Sequence, residues 1–529
     1  MIKGFRQIAS LTALSRVLGL VRDIAYSHFF GADQMLDAWV IAFKIPNLSR
    51  RLFGEGAASA SLIPVYSQAL HEDRQQAAQL ANTVVTVVVA VLAALVVAGE
   101  AGIWLYYKLF AQTGETRLIL SLTSVMLPYM LFVCTAAIMA GILNVHSHFA
   151  APAAAPIILN IFIIGGIFLS GRLLQLPTRW QLFYVAVFVL VGGVVQLVFH
   201  IWPLCTHGVY IKPAWQVRSE SFRKILLLML PMVLGLTVTQ INTLADDIIA
   251  WLFSGSQEKG EFFFFLGEQI KYPMWRGAVS HLYYAQRMYQ LPLGVLGISL
   301  ATAIFPVMSA NAARGDLAAL AETISKGLRS TIFIALPATI GMFIVARPLI
   351  AAAFQHGKFT AEDTGLVVRT MNFYTLGLCG YFAQQILARA FYSMQDSKMP
   401  TQSAVIAVFA NVVLNLTLIW FLGRAGLALA TAICSYLQVI ILVLVLRKRL
   451  GTLVFEGLYA TIAKTIVATF LMSAAAAAVM FLTSGLQSGR FSDAIRLAVI
   501  VPSCSAVYLL AAKLLRIEML SLLLSKQRS

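Results

Sequence analysis

Charge is what this 529-residue chain has least of: Asp, Glu, Lys and Arg together make up 12% of it, against roughly 25% in a soluble domain. No hydrophilic stretch is long enough to fold as a separate soluble unit; the best candidates, 206–224 and 254–280, are loops. Cysteine is also sparse. Cys134, Cys205, Cys379, Cys434 and Cys504 form no CxxC and no paired spacing, which excludes a disulfide framework and a thiolate metal site. The eight histidines are scattered, mostly at the ends of apolar segments. A membrane-embedded glycosyltransferase or phosphatase would need clustered acids, a histidine pair or a nucleophile, and the histidines are expected to face no such partners. The first apolar stretch is interrupted by Arg16, Arg22 and Asp23, so it predicts a retained helix rather than a cleavable signal peptide.

Apolar residue is what the chain has in abundance, at 60%. Runs of about 20 residues, enough to cross roughly 30 Å of hydrocarbon, recur from residue 8 to residue 515 and predict about fourteen transmembrane helices. The second, 35–66, contains Pro46, Asn47, Gly54 and Gly56 and is expected to bend or break. The formal net charge is +17. Its Lys and Arg sit mainly in short loops, where they set topology and meet anionic head groups, so nucleic acid is a poor partner. With both termini in the cytoplasm, the inner connections collect Lys212, Arg218, Arg223 and Lys224, then Arg314, Lys326 and Arg329, then Arg447, Lys448 and Arg449, then Lys513 and Arg516. The positive-inside rule favours that orientation, with Arg172, Arg179 and Arg276 as exceptions.

The chain also repeats itself. Asp23-Ile24 and Phe29-x-Gly31 reappear as Asp247-Ile248 and Phe253-x-Gly255; Ile45-Pro46 matches Leu291-Pro292; Ile63-Pro64-Val65 matches Phe305-Pro306-Val307; Leu159-Asn160 resembles Leu414-Asn415. The order is shared, and one insertion at 256–280 accounts for the change in offset. A six-span repeat returns to its starting side, so the copies are expected to be parallel lobes about an axis along the membrane normal, with a binding cavity at mid-depth. The predicted organisation is therefore an N-lobe at 1–222, a C-lobe at 223–450, and two further helices at 451–529.

Charged side chains within spans cost at least about 2.5–3.5 kcal/mol at a helix centre and usually face a polar cavity. The first span carries Arg16, Arg22 and Asp23, with Arg16, Gly19 and Asp23 on one face. The second carries Asp37, Lys44, Asn47, Arg50, Arg51 and Glu55, of which Lys44, Asn47, Arg51 and Glu55 form one stripe. The eighth carries Arg287 beside Tyr283, Tyr284 and Gln286. These cations outnumber the acids among them, and the surplus points to an anion such as a diphosphate, which the guanidinium fork suits. The alternative readings are that Arg50 and Arg51 snorkel to head groups and that Arg287 only closes a loop. A separate group, Asp246, Asn411, Asn415 and Thr431, offers hard oxygen ligands for a cation or an ordinary interhelical hydrogen-bonded contact.

The block Leu14-Ser15-Arg16-Val17-Leu18-Gly19-Leu20-Val21-Arg22-Asp23, followed by Phe43-Lys44-Ile45-Pro46-Asn47-Leu48-Ser49-Arg50-Arg51-Leu52-Phe53-Gly54-Glu55-Gly56-Ala57, closely resembles the MurJ/MviN family. So do Gln290-Leu291-Pro292, Gly357-Lys358-Phe359-Thr360 and Phe391-Tyr392-Ser393-Met394-Gln395-Asp396. The resemblance implies an all-α polytopic protein of the MOP superfamily with fourteen helices: two six-helix lobes around a central cavity, plus two C-terminal helices forming a groove for a lipid tail. It implies a non-enzymatic lipid II flippase of the bacterial cytoplasmic membrane, acting by alternating access as a monomer among phospholipids. Arg16, Arg22, Arg50 and Arg287 match the family's cavity arginines, and Asp37 an acidic position at the outer end of the second span. The family's sodium site maps onto Asp246, Asn411, Asn415, the carbonyl of Leu427, and Thr431; no other cofactor is implied. Gln286 and Asn415 stand where some members carry aspartate, and the insertion 256–280 is unlike the short family loop. The rival readings are a flippase for another polyprenyl-linked oligosaccharide, a multidrug antiporter of the same superfamily, and a scaffold. A drug exporter would favour an acidic, aromatic cavity, and a scaffold would have little reason to keep arginine at mid-membrane.

Overall fold

Helices dominate the computed structural model, which describes residues 2–50, 58–111, 113–483 and 489–524. Ten helical segments among these residues are long and apolar enough to cross a membrane. Large apolar side chains such as Val97, Trp202, Phe409, Phe421 and Phe470 lie on their outer surfaces, the reverse of a soluble fold and what lipid as solvent requires. The fold class is that of a helical membrane protein.

Contacts divide the chain into two compact units, Met1–Trp251 with Gly255–Val279, and Leu252–Ser254 with Ser280–Ser529. The first holds α1 (Ile2–Phe30), α2 (Gln34–Ser49), α3 (Ala58–Glu72), α4 (Arg74–Leu109), α5 (Gly114–Met126), α6 (Tyr129–Val145), α7 (Ala150–Phe168), α8 (Thr178–Thr206) and α9 (Glu220–Leu252). Here α1 packs on α7, α7 on α8, α6 on α8 and α3, and α2 on α5. Leu62, Tyr66, Leu80, Val84, Ile142 and Phe222 form its main apolar core. Of the residues expected to bend or break the second span, Pro46 and Asn47 lie inside α2, and Gly54 and Gly56 lie outside the described residues.

After α9 come short strands: β1 (Ser254–Gly255), β2 (Phe262–Phe265), β3 (Glu268–Lys271) and β4 (Met274–Trp275). β2 and β3 form an antiparallel hairpin with Phe265 opposite Glu268. Its two-residue loop has positive φ at both central positions, Leu266 at 51° and Gly267 at 88°, as a type I′ turn demands. Gly255 closes the base, because a Cβ there would stand 2.8 Å from the Gly260 carbonyl.

The second unit contains nearly all of α10 (Ala278–Pro292), then α11 (Ile298–Ala313), α12 (Leu317–Phe354), α13 (Ala361–Leu376), α14 (Leu378–Ser393), α15 (Lys398–Leu422), α16 (Arg424–Leu450), α17 (Leu458–Leu482), α18 (Arg490–Leu514) and α19 (Glu518–Leu524). α12 is its spine, contacting α13, α14, α17 and α18, while α15 pairs with α16. One joint is explained by a proline. Pro337 inside α12 has no N–H to give the Phe333 carbonyl one turn earlier, and Tyr508 of α18 donates its hydroxyl there instead, at 2.5 Å.

Candidate functional site

In the first unit the cations of α1 and α2 are largely held by partners. Arg22 donates through Nε and Nη2 to Asp23 Oδ1 (3.0 and 2.8 Å) and through Nη1 to Asn160 Oδ1 of α7 (3.0 Å). Asn160 also donates to the Ser15 carbonyl at 3.3 Å, so α1 is stitched to α7 by one polar network. Gly19 lies at this crossing, with room for a Cβ 3.9 Å from Asn160 Nδ2. Arg16, one turn before Gly19, is exposed.

Lys44 does not serve the stripe on its own helix. It donates to the Thr243 carbonyl at 2.6 Å and pairs with the buried carboxylate of Asp247, both on α9. Sequence reasoning counted Lys44 as surplus charge and used Asp247 only as a landmark of the repeat; the structure makes them a pair. The repeat itself carried the missed signal, since its two equivalent aspartates, Asp23 and Asp247, each bind a basic side chain. Asn47 accepts from Arg50 Nε at 3.0 Å, within one turn of α2. Arg51 and Glu55 lie outside the described residues.

Asp37 is buried in the first turn of α2 and accepts the Gly277 N–H at 2.8 Å. Its neighbour along the chain from Gly277, Arg276, forms a further buried pair that sequence reasoning left as an exception to the charge rule. Arg276 Nε and Nη2 donate to Glu115 Oε2 at 2.8 and 2.5 Å, and Nη1 to the Trp251 carbonyl at 2.6 Å. Glu258 brings its carboxylate to the start of α5, accepting the Glu115 N–H at 3.3 Å, where a helix N-terminus favours negative charge. The insertion is thus fastened to α2 and α5.

In the second unit Arg287 lies over the Tyr283 ring, 4.9 Å from its centroid, and donates to the Tyr283 hydroxyl at 3.3 Å. Gln286 donates to the Tyr374 hydroxyl at 3.0 Å. Four members of the expected cation group meet there. Asn415 donates to Asn411 Oδ1 (2.9 Å), Asn411 to Thr431 Oγ1 (3.4 Å), and Thr431 to the Leu427 carbonyl (3.1 Å). Amide, hydroxyl and carbonyl oxygens on facing turns of α15 and α16 have the chemistry a hard cation needs. Asp246, on α9 of the first unit, is almost fully buried.

The expectation that the histidines are scattered and face no such partners is corrected at two places: the His146 and His148 rings each lie 5.6 Å from the His207 ring, and His281 meets a carboxylate. Its Nε2 lies 2.9 Å from Asp363 Oδ1 and its Nδ1 2.5 Å from Arg424 Nη1. With a carboxylate on one ring nitrogen and an arginine on the other, the assignment is a neutral imidazole donating through Nε2. Both nitrogens are engaged, which suits a joint between helices better than a general base.

Comparison with known proteins follows the same lines. The family model described as "Lipid II flippase MurJ" matches residues 26–492. A "Probable lipid II flippase MurJ" of Vibrio cholerae is 31% identical over 449 residues, 82% of this chain and 81% of that one. The "Lipid II flippase MurJ" of Burkholderia cenocepacia is 30% identical over 460 residues, covering 85% and 84%. Among solved structures, "Lipid II flippase MurJ, inward closed conformation" aligns with a TM-score of 0.76 at 24% identity over 97% of this chain and 99% of that one. An inward-facing MATE-family multidrug transporter of the MOP superfamily aligns at 0.66 with 15% identity, over 84% and 98%; at these identities the structures show the fold alone. The chain belongs to the MurJ family of lipid II flippases.

Proposed function

We propose that this protein carries lipid II from the cytoplasmic to the periplasmic leaflet of the bacterial inner membrane, with both termini in the cytoplasm. The family match over residues 26–492 carries this reading. The charges support it: Arg16, Arg22 and Arg50 stand on α1 and α2 of one unit and Arg287 on α10 of the other. Cations on both units suit a diphosphate that must be held while the protein changes state, since guanidinium groups keep their charge and bind phosphate through two N–H groups. The likeness to multidrug transporters is one of fold, and arginines are the wrong sign for binding cationic drugs.

The cycle we propose is alternating access by a monomer among phospholipids, without catalysis. Arg50 and Arg287 engage the diphosphate, with Lys44, Asn47, Arg51, Glu55 and Asp37 shaping the surrounding field, while Arg22 and Asp23 brace α1 against α7. Sodium at Asp246, Asn411, Asn415, Thr431 and the Leu427 carbonyl, or the membrane potential, drives the return. A potential of 100 mV is worth about 2.3 kcal/mol per elementary charge, enough to bias one step. The test is binding of the purified protein to lipid II against undecaprenyl phosphate. Preference for lipid II is expected; equal affinity for the two would defeat the substrate assignment.

A further inference from the structure

The insertion between α9 and α10 contains a feature to which the proposed cycle gives no role. Its β2–β3 hairpin ends in Phe264, Phe265 and Leu266, exposed by 77%, 58% and 90%. Among the described residues, Phe263 of this strand has a ring partner, Tyr272, with centroids 4.9 Å apart. Three large apolar side chains at one tip make a patch that water does not tolerate without a reason. The turn sharpens the point. Its first central residue has φ of 51°, a conformation that Asn, Asp or Gly adopts readily and Leu does not. The sequence thus places an apolar side chain at the outermost position against local backbone preference, where a strained residue suggests use.

We propose that this hairpin is a membrane-surface anchor, its tip entering the head-group and upper acyl region of the adjacent leaflet. Three observations select lipid as the occupant. First, the segment joins two long helices, the 33-residue α9 and the membrane-crossing Ala278–Ala313, so its base cannot leave the bilayer surface. Second, the base carries Trp251, Tyr272 and Trp275, the residues that settle at the membrane–water boundary. From there a four-residue strand reaches about 13 Å, more than the roughly 5–8 Å of each head-group zone. Third, Phe264, Phe265 and Leu266 follow one another at the turn, the exposed Glu268 opposite Phe265 is the one charge beside them, and residues 254–279 balance three acids (Glu258, Glu261, Glu268) with three bases (Lys259, Lys271, Arg276). The loop therefore carries no net charge that would hold it off an anionic membrane surface. The base is rigid enough to aim the tip, since Arg276 is locked to Glu115 and the Gly277 N–H to Asp37.

The test is a nitroxide spin label on the full chain, with its five cysteines replaced, reconstituted in phosphatidylcholine vesicles. One label is placed by Phe264→Cys and, separately, a control by Gln257→Cys in the exposed part of the same loop. The expected result is a several-fold higher ratio of oxygen to nickel-chelate accessibility at position 264 than at 257. A label at 264 open to the chelate, or shielded from both reagents as in a protein contact, would overturn the proposal. A Leu266→Cys label gives a second reading should Phe264→Cys disturb the strand. No lipid-linked substrate is present, so a negative result leaves the flippase reading intact.

Discussion

Arg276 directs two of its N–H groups, Nε and Nη2, at a single oxygen of Glu115, at 2.8 and 2.5 Å, with both side chains buried. The other oxygen, Glu115 Oε1, is buried with no hydrogen-bond partner among the described residues. The pair joins α5 to the loop after α9, residues 161 apart in sequence. Removing one member leaves the other charge buried and uncompensated, which costs about 3–5 kcal/mol, whereas replacing both with apolar groups of similar size is often neutral. Arg276→Met should therefore lower the midpoint of thermal unfolding in detergent, and Glu115→Leu with Arg276→Met should recover most of the loss. Equal damage from the double and single variants would show that the loss does not come from the stranded carboxylate.

Lys259 sits above the Trp251 ring, 4.3 Å from its centroid, in the same neighbourhood. Burial pushes its ammonium down to about 8, Arg276 adds repulsion, and Glu115 opposes the shift. An unfolded lysine keeps its proton to about 10.4. Between those values the unfolded chain binds more protons, so the contribution of Lys259 to stability rises with pH across that window. Unfolding midpoints measured from pH 7 to pH 10 should show a shallower fall, or a rise, in the wild type relative to Lys259→Gln. Parallel curves for the two proteins would remove the claim.

Arg22 and Arg50 should fail in different ways. Arg22→Ala removes the cation paired with the buried Asp23 carboxylate and should destabilise the fold by about 3–5 kcal/mol, with reduced protein in the membrane. Arg50→Ala and Arg287→Ala should leave membrane levels near normal and weaken lipid II binding about 10- to 100-fold, the worth of a charge-assisted contact. Growth of flippase-depleted cells, read alongside immunoblots of the membrane fraction, separates the two. Normal growth with Arg50→Ala or Arg287→Ala at wild-type levels would refute their substrate role.

How much of this could be read from the sequence follows from what periodicity reports. Apolar runs of helical length marked the helices because the bilayer fixes both their length and their chemistry. The stripe Lys44, Asn47, Arg51 and Glu55 was legible as one helix face, and for that reason misleading. Helical spacing identifies neighbours on the same helix, while Lys44 is held by Asp247, 203 residues away. The Tyr508–Phe333 joint was hidden for the same reason, although Pro337 announced an orphan carbonyl. The hairpin was missed because its strands are four residues long and its turn is Leu-Gly, where the sequence signal for such a turn is Asn-Gly or Asp-Gly.

Asp246 and the Asn411–Asn415–Thr431 chain give the sharpest test of ion coupling. The three hydrogen bonds that run from Asn415 through Asn411 and Thr431 to the Leu427 carbonyl use neutral oxygens alone, so Asp246 is the one formal charge in the proposed set. Asp246→Asn preserves size and removes that charge, and should raise the sodium concentration needed for half-maximal lipid II transport in vesicles by about 10-fold or more, since even changes to outer-shell partners cost about 10- to 100-fold in metal affinity. Asn411→Ala removes an oxygen and breaks two of the three hydrogen bonds, so it should cost stability as well as sodium response. If sodium instead has no effect on transport by the wild type, and Asp246→Asn transports as before, these residues form only a contact between helices, and the membrane potential is left as the driving force.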